Sequence, residues 1–399
     1  MVASRLLSPG DGVRIVLPVL RYVPALGGAT RLVQLMAEGL VARNHSVTVV
    51  TQSEPNVPDE ETIAGVRVRR IRMQHVAGFR VPKGYLRLLR SLEADVLHQV
   101  GNRIWNVDYY LPFARSFDWP QAIMPLGFYH YWMRSGFVRW LYYDRYFSRR
   151  IRAFDAYVAL TQSERDQVVG WKYPPDRVHV IPVGIELSEF ARPPASSGDM
   201  RAGWKLGTPH IAVYVGGLYD NKRVDRLVRA VAATRGDWGL VVIGPDVPGT
   251  AYDQAHCETL ARQLSVPVRF LGPVPRSTVL ASLSAADAYV QGSAFEGFGI
   301  GLLEAMAAGR AFIAFDAGAA RELSATGAGV CVTSEQEMAS ALSSLPARAT
   351  EMGNRGRAVA QEYSVDRMVD RLVELYLAIQ RAPRGQQGGE ARAGEGSVG

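Results

Sequence analysis

The chain has 399 residues, of which 48% are hydrophobic, and this length predicts two domains rather than one hydrophobic core. Its formal net charge of +7 comes from 41 Arg and 4 Lys against 38 acidic residues, an imbalance that we attribute to a GC-rich bacterial genome. Nucleic-acid binding is not expected, because the sequence contains no helix-turn-helix, zinc-ligand spacing or aromatic RNA-binding signature.

Cysteine usage and hydropathy indicate the compartment. The two cysteines, Cys257 and Cys331, are too few for a disulfide framework or a cysteine metal cluster, and they indicate a reducing environment. The first residues lack the apolar core of a signal peptide, and no apolar run reaches the roughly 18 residues of a membrane span. We therefore expect a cytoplasmic protein, with peripheral contact at the inner face of the membrane left open.

The first half of the chain alternates short apolar runs with amphipathic segments. Residues 14–20 (RIVLPVL) are a predicted buried strand, and the Gly27–Gly28 turn leads into an amphipathic helix. Ser163 is the predicted cap of a later helix. Further strands are predicted at residues 46–51, 65–72, 95–98, 121–126, 155–160 and 177–183. This alternation predicts a parallel, doubly wound sheet in a first domain over residues 1–190.

Residues 127–154 are dense in aromatic side chains and arginine. One interpretation is an amphipathic helix that lies on an anionic membrane. The arginines that would then meet lipid phosphate are Arg139, Arg149, Arg150 and Arg152. The alternative is a helix whose aromatic face packs in the first domain or lines an acceptor pocket. Several tyrosines and Asp144 inside the run favour this alternative.

A Pro/Ser/Gly-rich stretch at residues 192–198 predicts the region that links the domains. The pattern then restarts in a second domain over residues 191–364. Its strands are predicted at 210–216, 240–244, 268–271, 288–290, 311–315 and 329–332, and its helices at 224–233, 259–264, 278–285 and 301–308. An amphipathic helix follows at 365–381, and the tail 382–399 is expected to be disordered. Two such sheets in tandem predict a cleft between their strand ends, where ligands bind.

Two segments of the second half carry candidate binding groups. In residues 214–223 (YVGGLYDNKR), a strand runs into a Gly216–Gly217 turn and the cations Lys222 and Arg223 follow. In residues 295–306 (FEGFGIGLLEAM), a glycine-rich loop opens a helix, whose N-terminus favours an anion. Glu296 lies on the loop and Glu304 lies one turn into the helix. The two carboxylates would therefore lie on opposite sides of a bound diphosphate. The segment predicts a nucleotide-sugar site at Glu296, Gly297, Phe298, Gly299, Ile300 and Glu304.

The spacing of Glu296 and Glu304 resembles the E-x7-E signature of the retaining glycosyltransferases of family 4, which have the GT-B fold. This resemblance implies two Rossmann-like parallel-sheet domains that face a cleft, and a C-terminal helix that crosses back onto the first domain. Residues 214–223 are similar to the family's phosphate-binding segment. Lys222 matches the family's lysine there, whereas Gly217 stands where the family has an arginine.

The same resemblance implies the activity and its residues. The reaction is the retaining transfer of a hexose from a nucleotide sugar, UDP or GDP, to a hydroxyl acceptor, without a resident cofactor. Catalytic roles fall on His130, Glu296 and Lys222, and Gly28 belongs to the loop near the donor phosphates. Metal independence is expected, because the sequence contains no Asp-x-Asp motif. Lys222 and the helix N-terminus would then stabilise the leaving diphosphate.

Three rival interpretations remain at this stage. A nucleotide-sugar epimerase or a sugar phosphorylase would use the same two-domain fold. A catalytically inactive sugar-binding protein is the third, and Gly217 is the residue that favours it, while Lys222, Glu296 and Glu304 oppose it.

Overall fold

The structure is a computed structural model, and it describes residues 12–381 except 26, 77, 78, 103, 128–134 and 192–196. Within these residues, the strands of the first domain are β1 (Arg14–Pro18), β2 (Ser46–Gln52), β3 (Glu60–Ile63), β4 (Val66–Ile71), β5 (Met73–Val76), β6 (Phe79–Pro82), β7 (Val96–Val100), β8 (Gln121–Met124), β9 (Ala156–Ala159) and β10 (Val178–Val180). The large sheet has the order β10-β9-β8-β7-β1-β2-β4-β3, and β5 pairs with β6 in a separate hairpin.

The central strands of this sheet are parallel, as the sequence predicts. They are buried on both faces because helices cover each side, which is why they consist of near-continuous apolar runs. The helices are α1 (Gly28–Ala42), α2 (Tyr85–Ser91), α3 (Trp105–Asp108), α4 (Gly136–Arg139), α5 (Ser148–Arg150) and α6 (Gln162–Gly170). Residues Trp140–Phe147 between α4 and α5 form a π-helical segment.

In the first domain, one edge strand was not predicted and one predicted helix cap is wrong. The edge of the sheet is antiparallel, because Ala64 and Gly65 both have positive φ and make a tight turn between β3 and β4. Three of the four residues of β3 are polar, so a search for apolar runs does not detect this strand. The cap of α6 is Thr161, whose side chain accepts a hydrogen bond from the Glu164 amide, and not Ser163, which lies inside the helix.

The second domain is a parallel six-stranded sheet with helices on both faces. Its strands are β11 (His210–Val215), β12 (Trp238–Ile243), β13 (Val268–Gly272), β14 (Ala288–Gln291), β15 (Ala311–Phe315) and β16 (Gly329–Val332), in the order β13-β12-β11-β14-β15-β16. Its helices are α7 (Ser197–Trp204), α8 (Val224–Ala232), α9 (Gln254–Gln263), α10 (Arg276–Ala285), α11 (Ile300–Ala307), α12 (Ala320–Ser324), α13 (Glu335–Ser344) and α14 (Ala349–Ala360). The predicted linker lies largely outside the described residues, and the tail 382–399 lies wholly outside them.

The last helix, α15 (Val365–Arg381), crosses back onto the first domain, as the resemblance implies. Its Val369 packs against Gly39 of α1 so closely that a Cβ on Gly39 would lie 2.7 Å from a Val369 methyl carbon. Its Tyr376 hydroxyl lies 2.7 Å from Nδ1 of His98, in the core of the first domain. The two domains are therefore held together by a packed helix as well as by the chain. No helix in the described part of the chain is long and apolar enough to cross a membrane.

Candidate functional site

The candidate site lies where β14 ends and the loop 292–299 leads into α11. Gly299 precedes the helix with φ of +99°, a left-handed conformation that glycine adopts without strain. A side chain there would also meet Leu302 and Gln291 at 3.1–3.3 Å. The backbone of the loop therefore carries no side chain where it joins the helix. A helix leaves amides of its first turn without an intrahelical acceptor, and such amides can bind an anion. In α11 the amide of Leu302 already donates to the carbonyl of Gly299 at 2.9 Å, so the amides of Ile300 and Gly301 are the candidates.

The two domains approach each other at this loop. Gly127, which follows β8 in the first domain, lies so near the loop that a Cβ there would be 2.5 Å from Cα of Gly297. A Cβ on Gly297 would in turn overlap the carbonyl of Leu126. Gly28, at the start of α1, faces Ile300, since a Cβ on Gly28 would lie 3.5 Å from its Cδ1 atom. The structure thus brings together predicted residues from two distant parts of the sequence, Gly28 from the first domain and Gly297 and Ile300 from the second.

Glu296 and Lys222 form an ion pair at the centre of the site. The Lys222 ammonium lies 2.6 Å from Oε1 of Glu296, and Ser293 donates a hydrogen bond of 2.6 Å to the same oxygen. The side chains are 23% and 11% exposed respectively, so both charges are largely withdrawn from water. The sequence predicted both charged residues, but it did not single out Ser293.

Backbone contacts hold the loops of Lys222 and Glu296 together. The Asn221 side chain donates to the carbonyl of Phe295 at 3.1 Å, and the Ala294 amide donates to the carbonyl of Asn221 at 2.8 Å. A Cβ on Gly292 would lie 2.5 Å from the carbonyl oxygen of Arg223, so that position accommodates only glycine. The ion pair therefore has a fixed place in the cleft before any ligand binds.

Glu304 lies one turn into α11, as predicted. It belongs to a row of side chains whose charges alternate between negative and positive. Arg276, the first residue of α10, donates to Oε1 of Glu304 at 2.6 Å and to Oε2 of Glu189 at 2.6 and 2.9 Å. Glu189 also accepts a hydrogen bond of 3.0 Å from Arg31 in α1. Burial raises the pKa of Glu304, and the charge of Arg276 opposes that rise. The positive charge of Arg276 therefore offsets part of the rise that burial causes in the pKa of this carboxylate.

The surroundings of Arg223 and Gly217 show why Lys222 is the cation that contacts Glu296. The Arg223 guanidinium makes a two-point ion pair with Asp225 at 2.9 and 3.0 Å, and it stacks over the Tyr252 ring at 4.5 Å. A Cβ on Gly217 would lie 2.5 Å from the ring of Tyr219. The Tyr219 ring thus occupies the space into which a longer side chain at position 217 would extend. Lys222 is the cation that contacts Glu296.

Gly216 and Phe298 contribute to the site through their backbone. The Gly216 amide donates to the carbonyl of Ile243 at 2.8 Å and fixes the turn after β11. The Phe298 side chain is buried and packs against Tyr363, with ring centroids 6.0 Å apart. Its carbonyl accepts a hydrogen bond from the Ala319 amide. Phe298 therefore orients the loop from the core side.

His130, the third predicted catalytic residue, lies outside the described residues. Another histidine of the first domain, His98, is fully buried in the middle of β7, and burial lowers its pKa to about 3. It is therefore neutral, and its contact with Tyr376 ties α15 to the sheet. Among the residues that the structure describes, no group of three or more His, Cys, Asp or Glu is arranged to hold a metal ion.

Family profiles match both halves of the chain. Residues 27–184 match the profile described as a glycosyl transferase 4-like domain, and residues 198–358 match the one described as glycosyl transferases group 1. The second match contains Lys222, Arg276, Glu296 and Glu304. The first contains Gly28 and Gly127.

Curated relatives resemble the chain over most of its length. A D-inositol 3-phosphate glycosyltransferase of Kineococcus radiotolerans is 27% identical, covering 92% of this chain and 94% of the relative. A GDP-mannose-dependent alpha-mannosyltransferase of Mycolicibacterium smegmatis is 27% identical over 78% of this chain and 81% of its own.

Solved structures share the fold at lower identity. The sucrose-phosphate synthase of Thermosynechococcus elongatus superposes with a TM-score of 0.78 at 21% identity, covering 92% of this chain and 99% of that chain. The Anabaena protein HepE, solved in complex with UDP-glucose, superposes with a TM-score of 0.73 at 17% identity, covering 91% of this chain and 98% of its own.

Proposed function

The chain belongs to the group 1 and 4-like glycosyltransferases of the GT-B fold, which transfer sugars from nucleotide-sugar donors, and from this premise we propose that it is a retaining, metal-independent enzyme. The donor is a UDP- or GDP-sugar, and the acceptor is a hydroxyl compound held by the first domain. The observation that supports the proposal most is the Lys222–Glu296 ion pair beside the N-terminus of α11, at the point where the two domains meet.

The donor occupies the cleft with its diphosphate at the start of α11. The amides that follow Gly299 and the Lys222 ammonium bind phosphate oxygens, and their partial and full positive charges stabilise the charge of the leaving group. Glu296 accepts hydrogen bonds from the sugar hydroxyls. Glu304 accepts hydrogen bonds from the ribose, and the hydrogen bond from Arg276 orients its carboxylate.

Retention follows if the acceptor attacks from the face that the diphosphate leaves. The bond between the anomeric carbon and the diphosphate oxygen breaks, and the acceptor oxygen forms the new bond to that carbon. The acceptor proton passes to the departing diphosphate, so no protein carboxylate has to act as nucleophile. Lys222 stabilises the leaving group throughout, and this role replaces that of a divalent ion beside the diphosphate.

Glu304→Gln should weaken binding of the donor nucleotide by about 1.5–3 kcal/mol, because a ribose hydroxyl is bound more strongly by a charged acceptor than by a neutral one. The nucleotide is first chosen by a thermal-shift screen of UDP-, GDP- and dTDP-sugars, since a ligand that binds only the folded state raises the apparent stability. Titration calorimetry on the wild type and the variant then gives the difference.

Glu351→Gln is the matched control, because Glu351 is an exposed carboxylate on α14 of the same domain. Its nucleotide affinity should equal that of the wild type. Equal affinities for the wild type, Glu304→Gln and the control would contradict the position that we assign to the ribose.

A further inference from the structure

We propose that a surface of the first domain, formed by Phe137, Val138, Trp140 and Leu141 with the exposed arginines of the same helical run, docks on an anionic lipid membrane. These four side chains are 67%, 48%, 48% and 47% exposed, and they lie within five consecutive residues at the start of the helical run 136–153. We call them the apolar tip. The inference concerns binding to lipid and does not depend on the donor site.

The apolar tip is separate from the aromatic side chains that the fold uses for packing. Further along the same helical run, Tyr143, Phe147 and Ile151 recur at intervals of four residues and are fully buried in the first-domain core. The preference for a packed helix is therefore right for this inner face. The tip lies outside that pattern, and Phe137 and Trp140 contact each other with ring centroids 5.9 Å apart. Contiguous exposed apolar side chains of this kind mark an interaction or membrane surface.

The charge of the helical run that carries the tip favours a lipid surface. Residues 136–153 contain five arginines and one acidic residue, Asp144, whose carboxylate accepts a hydrogen bond of 2.9 Å from the Trp171 indole. All five arginines are exposed: Arg139, Arg145, Arg149, Arg150 and Arg152. A second copy of the chain would present the same positive charges and be repelled. Aromatic and aliphatic side chains bordered by arginine instead fit the boundary between acyl chains and anionic headgroups.

The helical run that carries the tip is connected to the cleft, from its buried residue Tyr143, by a short series of hydrogen bonds. The Tyr143 hydroxyl donates to Oδ1 of Asn102 at 3.0 Å. The Asn102 amide group donates to the carbonyls of Pro125, at 2.7 Å, and Gly127. Gly127 is the residue that meets Gly297 across the cleft. Docking of the tip would therefore place the acceptor side of the cleft beside the membrane, and it points to an acceptor that is lipid-linked or delivered at that surface.

Vesicle flotation tests the proposal with the purified full chain. Wild-type protein should float with phosphatidylglycerol vesicles and remain at the bottom with pure phosphatidylcholine, and high salt should reduce flotation because screening weakens attraction to the surface. Replacement of Arg139, Arg145 and Arg149 by Ser should lower the partition coefficient by about 10²-fold, since each arginine near an anionic surface contributes to binding. These three are chosen because Arg150 stacks on Tyr146 and Arg152 donates to the Trp171 carbonyl.

A second variant tests the apolar part, and a third is the control. Phe137→Ser with Trp140→Ser should also lose most binding to phosphatidylglycerol while keeping the wild-type melting temperature, because both side chains are exposed. Leu264→Ser, which removes an exposed apolar side chain of the second domain, should float like the wild type. The proposal is overturned if wild-type protein does not float, or if the arginine and aromatic variants float as well as the control. Self-association that is lost in the aromatic variant, without vesicle binding, would identify a dimer interface instead.

Discussion

Lys222→Ala is expected to lower turnover by roughly 10² or more, because it removes the charge that we propose faces the departing diphosphate. The fold should persist, since Lys222 lies in a turn at the mouth of the cleft and its side chain is not part of the hydrophobic core. Initial rates at saturating donor, with melting temperatures measured in parallel, give the comparison. Lys205→Ala is the matched control, because Lys205 is an exposed lysine of the same domain.

The structure supports this prediction more strongly than the sequence does, because it shows where Arg223 lies. Arg223 could have supplied the missing charge, but its guanidinium is paired with Asp225 and stacked on Tyr252. Near-normal turnover of Lys222→Ala would show that another cation binds the diphosphate. Arg223→Gln, measured beside it, would then show whether that cation is Arg223.

Glu296→Gln is expected to lower kcat/KM by roughly 10², through both donor affinity and rate, because we propose that the carboxylate binds the sugar beside the reacting carbon. The substitution also removes the ionic partner of Lys222 and leaves a hydrogen-bond donor near it. Steady-state kinetics over a range of donor concentrations separates the effects on KM and kcat. Glu351→Gln serves again as the control of equal charge change.

The Lys222–Glu296 pair also predicts how the two variants combine. Two residues that share one interaction give non-additive effects, so the double variant Lys222→Ala with Glu296→Gln should lose less than the product of the single losses. Fully multiplicative losses would indicate that the two side chains act on the donor independently, in spite of the 2.6 Å contact.

Three elements with a clear hydrophobic pattern, continuous in the strands and periodic in the helix, were predicted to the residue. The predicted strands 311–315 and 329–332 coincide with β15 and β16, and the predicted helix 365–381 coincides with α15. The structure also places Glu296 on the loop and Glu304 one turn into α11, as predicted. These elements are determined by local burial and turn chemistry, which the sequence carries directly.

Contacts between distant parts of the chain could not be predicted in this way. Ser293 lies beside two glycine-rich turns and looks like an ordinary loop residue until its hydroxyl is seen 2.6 Å from Glu296. Arg276, Glu189 and Arg31 lie on three separate elements, and nothing in the spacing of their positions indicates that they meet. A cation at the start of a helix, as Arg276 is, opposes the helix dipole. That unfavourable placement was the one local signal of a nearby carboxylate.

The exposed start of the aromatic run shows a further limit of reasoning from composition. The tyrosines and Asp144 favoured a packed helix, and the packed face does exist at Tyr143 and Phe147. The change to π-helical geometry over Trp140–Phe147 alters which side chains share a face. A 3.6-residue periodicity applied to the sequence therefore could not separate the exposed tip from the buried face.

Retaining, metal-independent transfer is tested most directly by following the anomeric proton by NMR while the EDTA-treated enzyme turns over its nucleotide sugar. An α-linked donor should give a product, or in the absence of acceptor a free sugar, that is first formed as the α-anomer, and the rate should be unchanged when EDTA is present. Initial formation of the β-anomer would contradict retention. Loss of turnover in EDTA that is restored by Mg²⁺ or Mn²⁺ would contradict the role given to Lys222 and the N-terminus of α11.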